Sequence, residues 1–60
     1  MTTDGPTLRR ERREAEVTVT ALARALGVHR VTVHGWEGQV HVNEDTAARY
    51  REAVQRLRGA

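Results

Sequence analysis

The side chains that could do chemistry in this 60-residue chain are three histidines, an adjacent pair of acids and a set of cations that is all arginine. A metal site built on one helix needs imidazoles three or four residues apart, or thiolates to complete the set. His29, His34 and His41 have neither spacing, and there is no Cys. Nucleophilic catalysis needs a Ser or Cys beside a base, and the chain has neither residue. Glu44 and Asp45 directly follow Asn43, so they read as charges placed at a helix start and not as an acid–base pair. These features predict no enzyme, no metal, no cofactor and no small-molecule substrate. The arginines are more informative. All ten basic residues are Arg, with a net charge of +2. A guanidinium forks bidentately onto phosphate or guanine, which suits nucleic-acid contact. A GC-rich genome is the other source of such usage, since Ala, Gly and Val are abundant too.

The elements that must position these groups centre on Thr18–Glu37, TVTALARALGVHRVTVHGWE. Leu22, Ala23 and Leu26 recur at helical spacing and predict a helix over about 19–26. Thr18 can cap it, and Gly27 stands just past its last apolar residue, where a left-handed turn favours Gly. A second helix is expected over about 30–37, with Val33 and Trp36 on its inner edge. His29, Arg30, Val31, His34 and Gly35 fall on its outer edge. This is helix-turn-helix grammar, in which the second helix is offered to the DNA major groove.

The flanks are read in the same way. Residues 1–6, with Gly5 and Pro6, are expected to form a flexible arm, and residues 7–60 a single domain. Thr7 is placed as the cap of a helix over about 8–15, anchored by Leu8, Ala15 and Val17, with Arg10 and Glu14 paired. The run Arg9, Arg10, Arg12, Arg13 reads as a solvated face with one member turned inward to a carboxylate. Gly38–Val42 is a loop with strand-like alternation. Asn43 then caps a helix over about 44–58, whose apolar stripe is Ala47, Tyr50, Val54 and Leu57. The expected class is all-α, a compact four- to five-helix bundle. No apolar run approaches the ~18 residues of a membrane span, and MTTDGPT lacks the apolar core of a signal peptide. A cytoplasmic protein with no membrane partner is therefore expected.

LRRERREAEVTVTALARALGVHRVTVHGWEGQ, followed by NEDTAARYREAVQRL, resembles the phage-repressor helix-turn-helix family, of Cro or xenobiotic-response-element type. The resemblance covers nearly all of residues 8–58. It implies an all-helical bundle that binds operator double-stranded DNA, commonly as a homodimer, and acts as a transcriptional regulator of bacterial or phage origin. It further implies an ion pair between Arg12 and Glu37 that braces the recognition helix. Base-edge readers would be Arg30, Val31, His34 and Gly35. Thr18, Thr20, His29, Gly38, Gln39 and His41 would face phosphates. The chain carries Val19 where members often have Gln, His29 where a small hydroxyl is common, and Gly35 where a polar residue is usual. It also lacks a Pro before the last helix.

Ordinary chemistry gives these positions work to do. Arg30 can donate two bonds to guanine, Val31 can pack on a thymine methyl, and Gly35 lets the backbone approach closely. His29 and His34 can donate to phosphate or to base acceptors, more strongly when protonated, so binding is expected to rise toward pH ~6. Arg24 is expected to contact phosphate without regard to sequence. Specific sites usually need two half-sites, which again favours a homodimer, with Val40, Val42, Tyr50, Val54 and Leu57 as apolar candidates for its interface. Two alternatives stay open. One is a MerR-like excisionase domain, with GQVHV as a wing; the other is a protein-interaction module that uses the exposed Val31 face.

Overall fold

Each helix begins where a side chain can accept from a free first-turn amide. The computed structural model describes residues 3–59, and the four helices among them are α1 (Gly5–Glu14), α2 (Val19–Leu26), α3 (Arg30–Glu37) and α4 (Glu44–Arg58). Thr18 Oγ1 accepts from the Ala21 N–H at 3.1 Å to start α2, and Asn43 Oδ1 accepts from Asp45 at 2.8 Å to start α4. The start of α3 is less usual. His29 supplies its ring Nδ1, which accepts from the Val31 N–H at 3.1 Å.

The first helix begins one turn earlier than its sequence suggests. Asp4, not Thr7, is the cap: its Oδ1 accepts from the Thr7 N–H at 2.7 Å, and Pro6 follows inside the first turn, where its missing N–H costs nothing. Hydrogen bonding from Thr7 holds the Asp4 carboxyl below the usual carboxylate range. Of the residues in the expected arm, Gly5 and Pro6 lie within α1 and Asp4 caps it; Met1, Thr2 and Ala60 lie outside the described residues. Thr3 pairs with Val42 in an isolated antiparallel bridge, its carbonyl accepting from the Val42 N–H at 2.8 Å. The Gly38–Val42 alternation therefore contributes one bridging residue.

Gly5 explains why α1 is fixed at this end. A Cβ there would lie 2.3 Å from the Trp36 carbonyl oxygen and 2.4 Å from the Glu37 carbonyl carbon and oxygen. Only a glycine lets α1 come this close to the end of α3. The Gly5 N–H donates to the Gln39 carbonyl at 2.7 Å, which completes the contact.

The turns after α1 and after α2 share one device. After α1, Glu16 N–H donates to the Arg13 carbonyl and Val17 N–H to the Arg12 carbonyl. After α2, Gly27 N–H donates to the Arg24 carbonyl and Val28 N–H to the Ala23 carbonyl. Each turn needs one left-handed residue. Gly27 takes that conformation easily at φ 68°, whereas Glu16 takes it with a side chain at φ 59°.

Packing follows from these fixed ends. α2 packs on α3 and α4, and α1 packs on α3 and α4. Leu8, Leu22, Val33 and Tyr50 are fully buried at the centre, with Val17, Ala23, Val42, Ala47, Ala53 and Val54 around them. Trp36 is half-buried against this cluster and not one of its centre residues. The expected set of spare apolar residues changes accordingly. Val42, Tyr50 and Val54 belong to the core, Leu57 is half-buried, and only Val40 stands out into solvent at 73% exposure. On α1, the carboxylate in an ion pair is Glu11, which receives both forks of Arg51 from α4 at 2.8 and 2.9 Å. Among the described residues, the expected Arg10–Glu14 pair does not form.

Candidate nucleic-acid interface

α3 divides its residues sharply between inside and outside. Val33 and Glu37 are buried, one turn apart, and Trp36 is half-buried beside them. Arg30, Val31, Thr32, His34 and Gly35 are all exposed. Val31, at 66% exposure, and Gly35, with nothing within 4 Å of a built Cβ, lie farthest from the buried side. The outward surface is thus a cation, a branched apolar group, a hydroxyl, an imidazole and bare backbone. Neither an exposed Val nor a mid-helix Gly helps helix stability; the Gly alone costs ~1 kcal/mol against Ala.

Beneath this surface lies a buried polar cluster. Arg12 Nε donates to Glu37 Oε2 at 2.8 Å and Arg12 Nη2 to Glu37 Oε1 at 3.2 Å, a bidentate fork. Arg12 Nη1 donates to the Val17 carbonyl at 2.9 Å, and Tyr50 Oη donates to Glu37 Oε2 at 2.5 Å. One carboxylate therefore ties the end of α3 to α1, to the α1–α2 turn and to α4. No buried side-chain polar atom among the described residues lacks a partner. Burial alone would raise the Glu37 carboxyl, but the bonds from Arg12 and Tyr50 outweigh it and hold it below the usual range. Burial and the Glu37 charge push the Tyr50 phenol well above its ordinary value. The bond to Glu37 outweighs burial at Arg12 and raises its guanidinium further.

The two edges of α3 face different neighbours. Trp36 borders a small cleft with Leu26, Val28, Thr46 and Arg49. On the other edge, His34, Glu37 and Gly38 line an open groove of about 410 Å³ with Arg9, Arg12 and Arg13 of α1. The sequence run of arginines thus splits by direction: Arg12 is buried, and Arg9 and Arg13 stand exposed beside α3.

The residues suggested for phosphate contact lie at helix ends and in loops, and all are exposed: Thr18, Thr20, Arg24, His29, Gly38, Gln39 and His41. Thr18 accepts through Oγ1, which leaves its O–H free to donate outward. At His29 the ring Nδ1 is occupied as an acceptor, so only Nε2 can carry a donated proton outward. Thr32, absent from the expected outer edge, is also exposed on α3.

Among the described residues, no group of three or more His, Cys, Asp or Glu could hold a metal, and no helix is long and apolar enough to cross a membrane. Comparison with protein-family models, with curated proteins and with solved structures finds no match for the chain.

Proposed function

We propose that this chain is a small sequence-specific DNA-binding regulator, a repressor or Cro-like switch, which inserts α3 into the major groove. The observation that carries the reading is the contrast within α3. Its outward face, Arg30, Val31, Thr32, His34 and Gly35, is poor for stability, while its inner face is held by a three-residue buried network. An α-helix fits the major groove, and these side chains suit base edges: Arg30 for guanine O6 and N7, Val31 for a thymine methyl, and Gly35 for close approach. Thr18, Thr20, Arg24, Gln39 and His41 flank the helix as phosphate contacts, with most of the affinity coming from charge neutralisation.

The reading includes action as a homodimer, with one half-site for each copy. The longest dimension of one copy is 29 Å, short of the ~34 Å between half-sites one helical turn apart. The excisionase-like reading needs a β-hairpin wing, and the Gly38–Val42 stretch offers one bridge to Thr3. Exposed Val31 and Val40 are what favour a protein-interaction module as a second reading.

A gel-shift against genomic fragments at two salt concentrations separates these readings. Binding that is sequence-selective and steeply weakened by salt supports the regulator, with Arg30→Ala losing sequence preference and Arg24→Ala weakening all duplexes alike. Absence of binding at low salt supports the protein-interaction module.

A further inference from the structure

The groove between α1 and α3 gathers positive charge. Arg9 and Arg13 are four residues apart on α1, so they lie on one side of that helix. They line the groove together with His34 and Gly38 of the recognition-helix end. The only acid lining it is Glu37, whose charge is matched by Arg12 in the bidentate pair at its floor. Arg9 and Arg13 have no ion-pair partner among the described residues, so the groove holds two uncompensated guanidinium groups on a single rim. Both are exposed, and the groove opens on the edge of α3 away from Trp36, Leu26 and Val28.

We infer that Arg9 and Arg13 form a phosphate clamp that grips the DNA backbone along this edge of α3, with His34 as a third donor at its inner end. The inference rests on the DNA-binding reading and adds a contact surface from α1 to it. Arg12, which lies between Arg9 and Arg13 in sequence, donates to the Val17 carbonyl just before Thr18, so the Arg9–Arg13 rim continues the surface that begins at Thr18 at the start of α2. Its position is fixed by the close approach of Gly5 and by the Arg12–Glu37 pair. Because the ligand atoms are phosphate oxygens, the clamp adds affinity and register but no sequence preference.

The test compares wild type, the double variant Arg9→Gln/Arg13→Gln, and a control, Arg56→Gln/Arg58→Gln, that removes the same charge from the last turn of α4. Thermal unfolding followed by circular dichroism first establishes that all three fold, as expected for substitutions of exposed side chains. Fluorescence anisotropy with a labelled duplex then gives the dissociation constant across a salt series. Each phosphate contact contributes about 0.9 to the log–log salt slope. The Arg9/Arg13 variant is expected to lose between one and two units of slope, and on the order of tenfold in affinity per contact at ~0.1 M salt, equally on selected and random duplexes. The α4 control is expected to keep most of both. If wild type binds and the two double variants behave alike, the clamp is wrong while the DNA-binding reading stands. If wild type binds no duplex at low salt, the DNA-binding reading falls and takes the clamp with it.

Discussion

Glu37 shows how one buried charge can hold the end of a helix in place. Removing one partner of a buried pair costs about 3–5 kcal/mol, because the other charge is left without compensation. A domain of this length has only about 3–9 kcal/mol of total stability. Glu37→Gln is therefore expected to remove at least about a third of that stability, seen as a large drop in Tm by circular dichroism. The triple variant Arg12→Met/Glu37→Leu/Tyr50→Phe, which removes all three polar ends together, is expected to recover most of the loss. The same cluster sets the pH limits. The folded carboxyl of Glu37 lies below its ordinary 4.5, so its stabilisation is complete above that value and is lost as pH falls further. The Tyr50 phenol is raised above its ordinary 10.0, so its contribution holds below that pH and disappears as alkali forces ionisation. Tyr50 is the only tyrosine, so tyrosinate absorbance reads it directly. Ionisation of Tyr50 is expected to coincide with loss of the helical signal, not to precede it. At this scale the sequence was readable wherever the chemistry is local. Thr18, Gly27 and Asn43 do their work within a turn of themselves, and each sits as its type suggests. Among the arginines of the first helix, the family resemblance singled out Arg12 for the pair with Glu37, and nothing in the local sequence distinguishes it from its neighbours.

At the scale of elements, Gly5 and Gly35 make a pair of opposites. A Cβ at Gly5 would strike the backbone of Trp36 and Glu37, which cannot move aside as a side chain could. Gly5→Ala is expected to lower stability by about 1–3 kcal/mol, the usual cost of forcing bulk into a close-packed contact, and to loosen the α1–α3 edge. A Cβ at Gly35 meets nothing within 4 Å. Gly35→Ala is expected to raise stability by up to ~1 kcal/mol through helix propensity, seen as a higher Tm. If α3 enters a groove, the same substitution is expected to weaken duplex binding. A variant that gains stability and keeps full binding would show that the bare backbone at Gly35 is not part of the contact. The constraint on Gly5 was invisible in sequence because it comes from residues far along the chain. Gly-Pro at a chain start reads as an unstructured arm unless that contact is known. The His29 cap was hidden for a different reason, since His is seldom the acceptor at a helix start and its type suggests a donor.

At the scale of the whole molecule, the four helices among the described residues enclose a core with one aromatic residue, Tyr50, fully buried and one, Trp36, at its margin. The all-α class and the last three helix boundaries follow from periodicity and caps, which are sequence properties, whereas the helix number was expected only as four to five. The division of α3 into two edges does not, because it depends on where α1 lies. That placement brings Arg9 and Arg13 beside α3 and commits the other apolar candidates, Val42, Tyr50 and Val54, to the interior. Recording backbone amide chemical shifts while duplex DNA is added tests the assignment of α3 as the DNA-reading element most directly. The amides of Val31, Thr32, His34 and Gly35 are expected to shift most, with those of Ala47 and Ala53 in the core of α4 nearly still. Large shifts confined to α4 or to the loop around Val40, with α3 unmoved, would contradict it.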